Sequence, residues 1–315
     1  MTDTLRLKAS PRGLARAATV LQGGGLVAFP TETVYGLGGD ASNDRAVARI
    51  YEAKGRPSFN PLIVHFSDLA TVQAYVHWSD MAQRVADALW PGPLTLVLPL
   101  REGARLSKLV TAGLDTLAVR VPANPVARAL LRAAGVPVAA PSANRSGRIS
   151  PTRAAHVLET LDGRIDAVLD GGACDVGLES TILGLAGKPT LLRPGRVTCE
   201  QLTDLLGRPV AQRKDSEQIS APGQLGSHYA PSALVRLNAA EWEPDEARLA
   251  FGPVESCDLN LSPTGDLVEA AANLFEYLYR LDATGAPRIA VMPVPHVGLG
   301  VAINDRLSRA AAPRN

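Results

Sequence analysis

Two short strings hold the residue types best suited to chemistry in this chain: Lys54-Gly55-Arg56 and Ser142-Ala143-Asn144. A lysine and an arginine two positions apart, where a helix gives way to a strand, can meet a polyphosphate. The arginine forks onto oxygens and the lysine acts as a point charge. The same pair also suits a helix C-terminus closed by a glycine cap. Ser142 and Asn144 follow the apolar run Val136–Ala140. Open α/β sheets bind ligands at the C-terminal ends of their strands, although a turn held by its own polar side chains fits the string equally well. His65 sits inside the apolar run Leu62–Phe66, where a satisfied, half-buried histidine is the ordinary outcome. Arg120 alternates with Leu117, Val119 and Val121, so its face needs solvent, a surface salt bridge or an anion. Glu179-Ser180-Thr181 opens a strand with hydroxyls suited to turn contacts, and Arg193-Pro194-Gly195 closes one. The P-loop, HExxH and GxSxG motifs are missing. Gly36-Leu37-Gly38-Gly39 lacks the dinucleotide fingerprint spacing and reads as a tight turn.

The elements that must position these residues alternate between short apolar runs and amphipathic stretches. Ser10-Pro11 predicts a helix start, with Leu14, Ala17, Ala18 and Leu21 on one face and Gly23-Gly24-Gly25 as the stop. Asn43-Asp44 predicts a second helix ending at Gly55. Strands are expected at 26–29, 62–66, 94–98, 116–121, 136–140, 167–170, 181–185 and 190–193. Helices are expected at 68–90 (one or two) and 124–135, and Ser150-Pro151 is expected to cap another. Short strands interleaved with helices indicate an α/β fold with a mixed, twisted sheet over residues 10–198. Residues 199–232 read as a linker, because Arg213-Lys214-Asp215-Ser216-Glu217 is polar and Ala221-Pro222-Gly223-Gln224-Leu225-Gly226 is turn-rich. Strands at 234–237, 248–251 and 288–292, with helices at 266–281 and 303–311, predict a smaller C-terminal α/β domain over residues 233–315.

Composition narrows the function classes. The 315 residues are 46% hydrophobic and 20% charged, as in a globular chain. A net charge of +1 gives no global attraction to a polyanion, so phosphate binding has to come from a local cluster. Aromatics at 4% are too few for a surface that stacks single-stranded nucleic acid. Cys174, Cys199 and Cys257 form no CxxC pair, which argues against a structural zinc site and a disulfide framework. Cys174, beside Gly171-Gly172, reads as a buried inert thiol. The first residues, MTDTLRLKASPRG, contain no apolar h-region, and no window approaches about 18 uninterrupted apolar residues. A cytoplasmic protein without a membrane span is therefore expected.

Order and spacing join the separate strings. Thr31-Glu32-Thr33, Tyr35-Gly36-Leu37, Lys54-Gly55-Arg56, Asn60-Pro61-Leu62, Pro91-Gly92-Pro93-Leu94-Thr95, Ser142-Ala143-Asn144, Glu179-Ser180-Thr181 and Arg193-Pro194-Gly195 follow one another in the chain. The series closely resembles the Sua5/YrdC family of threonylcarbamoyl-AMP synthases. Ser227-His228-Tyr229-Ala230-Pro231 and the tail string from Gly298 to Arg306 resemble its two-domain branch, which the short single-domain form does not share. The resemblance implies an enzyme, a nucleotidyltransferase that joins L-threonine, bicarbonate and ATP into threonylcarbamoyl-AMP and pyrophosphate. It implies Lys54 and Arg56 as catalytic cations. It places threonine among Thr33, His65, Arg120, Ala140 and Ser180. ATP falls to Arg56, Asn60, Thr116, Ser142, Asn144, Ser150, Arg193 and Tyr229. Mg²⁺ would arrive on the ATP phosphates rather than on protein ligands, and the product would pass to a tRNA threonylcarbamoyl transferase, with direct tRNA contact not required. The 199–232 linker, with an aromatic at Tyr229 between Pro222 and Pro231, is expected to fold over the site as a lid. An RNA- or ribosome-binding module with a basic cavity is the competing class, disfavoured by the near-neutral charge and few aromatics. A carbamoyl-phosphate-type transferase would bring acylphosphatase or zinc-finger-like segments, which do not occur here.

Overall fold

The structure, a computed structural model, describes residues 3–214, 217 and 219–313. Asp215 and Ser216 of the polar string lie outside the described residues, as do Met1, Thr2, Gln218, Arg314 and Asn315. The first body contains β1 (Leu5–Lys8), α1 (Pro11–Gln22), β2 (Val27–Phe29), β3 (Gly36–Asp40), α2 (Asp44–Lys54), β4 (Ile63–His65), α3 (Leu69–Gln73) and α4 (Asp80–Leu89). It continues with β5 (Leu94–Pro99), α5 (Lys108–Thr111), β6 (Thr116–Arg120), α6 (Pro125–Ala134), β7 (Val138–Ala139), α7 (Ala154–Leu161), β8 (Ala167–Asp170), β9 (Thr181–Gly184) and β10 (Thr190–Arg193). α8 (Cys199–Leu206) and β11 (Ala211–Gln212) complete it. Eleven strands form one mixed sheet in the order β1-β8-β2-β3-β7-β4-β6-β5-β9-β10-β11.

Local signals placed the helices. Ser10, Asn43 and Asn124 each accept backbone N–H bonds at an N-terminus, and Gly55 and Gly135 take the left-handed conformation at the C-caps of α2 and α6. The buried faces of α1 and α6 pack with Val27, Phe29, Val138 and Leu169 on one side of the sheet. The other side holds a larger core that includes Val47, Ile50, Leu96, Val119 and Leu183.

Several expectations are corrected. Gly36-Leu37-Gly38-Gly39 is not a turn but the buried strand β3, pairing with β2 and β7. Glycine is needed there for close packing: a Cβ on Gly38 would lie 2.8 Å from the Phe29 ring and 2.9 Å from Val138. β1, which the sequence pattern did not single out, adds an edge strand parallel to β8, so the first body begins before residue 10. The start of the expected linker also belongs to this body. β11 runs parallel to β10, and Leu202, Leu206 and Val210 enter the core. Ser150 does not cap α7, whose N-cap is Arg153 without a side-chain bond.

The second body has β12 (Leu234–Arg236), β13 (Glu246–Ala250), β14 (Leu259–Asn260), α9 (Leu267–Asp282), β15 (Arg288–Val291) and α10 (Leu299–Ala311). Its four strands are all parallel, in the order β12-β15-β13-β14. Its core joins Leu249, Leu261, Leu274, Phe275, Leu278, Ile289, Ile303 and Leu307. It also reaches the first body, where His156 stacks on Tyr279 at 3.9 Å and Tyr279 Oη donates to the Ile149 carbonyl at 2.9 Å. Among the described residues, no helix is long and apolar enough to cross a membrane.

Candidate active site

The strand ends and turns that carry the chemical residues converge on one cavity. Its walls include Thr33, Arg56, His65, Arg120, Ala140, Ser142, Glu179, Ser180 and Arg193 from the first body. Pro222, Gly223, His228 and Tyr229 from the connecting segment line it as well. Register explains part of the convergence. His65 at the end of β4 lies beside Arg120 at the end of β6, and β7 follows on the other side of β4.

One end of the cavity is built on Arg120. Its salt bridge is buried rather than at the surface. Its Nη2 donates to Glu32 Oε1 at 2.6 Å and its Nη1 to Thr33 Oγ1 at 3.0 Å. Burial alone would raise the Glu32 carboxyl, but Arg120 beside it holds it below the ordinary carboxylate range. His65 is pushed down to about 3 by burial and by the neighbouring Arg120, so the imidazole is neutral near pH 7. Ser180 Oγ lies 2.8 Å from Thr95 Oγ1 and accepts from Arg193 Nη2 at 3.1 Å.

The other end gathers cations around the Ser142-Ala143-Asn144 turn. Lys54 is fully buried, and its Nζ donates to the carbonyls of Ser142 at 2.6 Å and Asn144 at 2.5 Å. These two bonds fix the turn; Lys54 is not among the residues that line the cavity, unlike Arg56. Burial first, and Arg56 second, pull its ammonium well below the ordinary lysine range. Arg56 Nε donates to the Asn60 carbonyl at 3.1 Å and Nη2 to the Pro61 carbonyl at 2.8 Å. Burial pulls Arg56 down to about 10. Arg193 is held through Nε and Nη2 on the Ser180 carbonyl. Ser150, expected to cap a helix, instead donates its hydroxyl to Glu179 Oε1. Thr116 lies at the opposite end of β6 from Arg120, outside the cavity wall. Since Ile63 pairs with Ala118, Thr116 flanks the 60–62 turn rather than the Arg120 end.

The connecting segment packs over this arrangement. Gln224 Oε1 accepts from the N–H groups of Ser220 and Ala221, and its Nε2 donates to the Leu192 carbonyl at 3.2 Å. Gly223, at φ +83°, lets the chain pass where a Cβ would come within 2.7 Å of Tyr229 Oη and 2.9 Å of Arg193 Cδ. Tyr229 is itself at φ +63° and almost wholly buried. Four of the residues expected around the ligands, Asn60, His65, Asn144 and Tyr229, bury polar side-chain atoms that find no protein partner. Such groups are costly unless a ligand satisfies them.

Sequence reasoning missed Glu32, Glu179 and His228 as parts of the site, although all three lie within the quoted strings. An acidic residue beside a basic cavity gives no local signal until its arginine partner is known. Among the described residues, no group of three acidic, histidine or cysteine side chains could hold a metal. Cys174 is buried, and burial pushes its thiol upward, as in an inert cysteine.

The family described as telomere recombination, which covers Sua5, YciO and YrdC, matches residues 19–195, and the threonylcarbamoyl-AMP synthase C-terminal domain matches residues 197–312. The threonylcarbamoyl-AMP synthase of Bacillus subtilis is 41% identical over 96% of this chain and 93% of its own. That of Pyrococcus abyssi is 40% identical over 95% of this chain and 94% of its own. The crystal structure of P. abyssi Sua5 complexed with L-threonine superposes with a TM-score of 0.89 at 37% identity, covering 98% of both chains. The chain belongs to the Sua5/YrdC family, in its two-domain threonylcarbamoyl-AMP synthase form.

Proposed function

We propose that this protein is an L-threonylcarbamoyladenylate synthase: L-threonine, bicarbonate and ATP give threonylcarbamoyl-AMP, pyrophosphate and water. The observation that carries the reading is the single cavity in which Arg56, Arg120, Arg193, His65 and Ser180 meet beneath Tyr229. Threonine's amine combines with bicarbonate to give a carbamate and water. A carbamate oxygen then attacks the α-phosphorus of ATP, and pyrophosphate leaves. No protein nucleophile is required, so alignment and charge stabilisation supply the rate.

The residues divide by position. Arg120 and Thr33, joined at 3.0 Å, form the polar end suited to the amino acid's carboxylate and hydroxyl, with neutral His65, Ala140 and Ser180 around it. Arg120 already holds Glu32, so a threonine carboxylate would share the guanidinium with that side chain rather than meet a free one. Arg56 and Arg193 suit the phosphates, and Tyr229, Asn60, Ser142, Asn144 and Ser150 suit the rest of the nucleotide; Thr116, outside the cavity wall, would meet it only from the 60–62 turn. Lys54 acts by holding the carbonyls of Ser142 and Asn144 in place. Mg²⁺ would come in on ATP's phosphate oxygens, and there it would supply positive charge against the leaving pyrophosphate. A cavity rich in arginine with Glu179 as a carboxylate on its wall fits a metal carried by substrate better than a protein cage. The segment 219–231 serves as a lid that keeps water from the adenylate. The product would be consumed in the cytoplasm by a tRNA threonylcarbamoyl transferase, making N6-threonylcarbamoyladenosine at position 37 of tRNAs that decode ANN codons.

The test is pyrophosphate release by the purified protein with ATP, Mg²⁺, bicarbonate and L-threonine. Release should depend on both threonine and bicarbonate. ATP cleavage to ADP and phosphate that is indifferent to threonine would overturn the assignment.

A further inference from the structure

Glu179 lines the first body's cavity, yet its closest cation belongs to the second. Arg306 of α10 has no exposed surface. Its Nε donates to Glu179 Oε2 at 2.7 Å and its Nη1 to Asp305 Oδ2 at 2.6 Å. On its other side the guanidinium carbon lies 5.3 Å from the centre of the Tyr229 ring, a cation–π contact. The next turn of α10 grips the same segment. Arg309 Nη1 donates to the Leu225 carbonyl at 2.8 Å, and the Arg309 carbonyl accepts the His228 N–H at 3.1 Å. Asp305 Oδ1 ties this arginine back to the helix at 3.0 Å.

The rest of the buried face of α10 is apolar: Leu299, Ala302, Ile303, Leu307 and Ala310. A buried guanidinium in that row costs more than a hydrophobic side chain of similar size. It does something that a hydrophobic side chain cannot, since it answers a carboxylate and an aromatic face at once. Tyr229 needs such support, because a non-glycine residue at φ +63° persists only where its surroundings over-determine it.

We infer that α10 is the latch of the lid, and that Arg306 is a positioning residue which holds Tyr229 and Glu179 in place at the nucleotide end of the cavity. The identity of the nucleotide rests on the synthase reading above; the latch itself does not. Electrostatics agree with the geometry. Burial would raise the Glu179 carboxyl, but Arg306 and Arg193 together hold it below the ordinary range, so it stays charged and keeps the Ser150 hydroxyl. Without Arg306 that charge would face ATP with less compensation, and the Tyr229 ring would lose its cation.

Three variants test this. Arg306→Met keeps length without charge, Arg306→Lys keeps charge without the fork, and Glu179→Gln/Arg306→Met removes both charges. The measurements are pyrophosphate release against ATP and threonine, and amide hydrogen exchange over residues 219–231. Arg306→Met should raise the KM for ATP about thirtyfold or more, the scale for breaking a buried charge pair. The KM for threonine and kcat should move far less. Exchange at 219–231 should quicken while β12–β15 keep wild-type protection. Arg306→Lys should recover part of both effects, and the double variant part of the KM. A folded Arg306→Met with wild-type KM and wild-type exchange overturns the latch. If Arg306→Met does not fold, a folded Arg306→Lys with both readouts unchanged overturns it instead. A wild-type enzyme without threonine-dependent pyrophosphate would overturn the reaction assignment and leave hydrogen exchange to judge the latch.

Discussion

The two bodies of this protein bury polar groups for different ends. In the first, Thr33, Arg56, Asn60, His65, Arg120, Glu179, Ser180 and Arg193 are all buried, and they meet at the ends of strands in an eleven-stranded sheet. In the second, a four-stranded parallel sheet packs on α9 and α10 through leucine, isoleucine and phenylalanine. Its fully buried arginine, Arg306, points out of that core toward Glu179 of the first. The first body thus carries its electrostatic cost in a site, whereas the second answers its buried Glu246 with Arg236 inside its own sheet and lends Arg306 to that site. Arg306 apart, mutations should separate accordingly: loss of function without loss of fold in one, loss of fold without altered binding in the other.

The largest effect should come from Arg56. Arg56→Ala is expected to lower adenylate formation by roughly 10²–10³-fold, as for other removed charge stabilisers, while thermal unfolding still shows a cooperative fold. Arg120→Ala should instead weaken threonine more than ATP, read as separate KM values. Near-wild-type rates in Arg56→Ala would remove the contrast between the bodies.

In the second body, Leu274 is fully buried within the α9 packing. Leu274→Ala should cost about 3 kcal/mol of stability by urea unfolding, the middle of the range for such cavities. KM values per folded molecule should stay as in the wild type. A change in KM as large as the one expected for Arg306→Met would mean that the second core, not its one arginine, shapes the site.

Acid should act mainly on the first body and its lid. His65 and His228 are both pushed down to about 3, chiefly by burial, from an ordinary value of 6.5. Between those values the unfolded chain takes up protons that the fold refuses. Stability is therefore complete above about pH 6.5 and falls as pH drops through the window, by up to about 1.4 kcal/mol per pH unit for each histidine. Urea midpoints at pH 7 and pH 5 measure the slope, and His228→Asn should flatten it. An equal slope in that variant would show that His228 is not buried as a neutral ring.

The smallest effect belongs to a helix start. Asp266 accepts the N–H groups of Val268 and Glu269 at the head of α9. Asp266→Ala should cost about 1 kcal/mol in the same unfolding measurement and leave pyrophosphate release untouched.

Most helices of this protein were legible in the chain itself, whereas α5 and α8 were not. Asn43 with Gly55, Asn124 with Gly135, and Asp266 with its periodic leucines specify α2, α6 and α9 through contacts within a few residues. The cavity residues Arg56, Ser142 and Arg193, and Lys54 and Asn144 behind them, were legible as ordered strings of polar types at the ends of helices and apolar runs. Pairing and compensation were not legible. The glycine run 36–39 is a strand because β2 and β7 pair with it, and the Phe29 ring and Val138 leave room there only for glycine at Gly38. Ser150 left its expected helix cap for Glu179, Lys54 turned to the carbonyls of the 142–144 turn, and Arg120 found Glu32. Each of these joins residues far apart in sequence. Propensity and capping act over one or two turns of chain, whereas the cost of a buried charge is settled by whichever partner the tertiary fold brings to it.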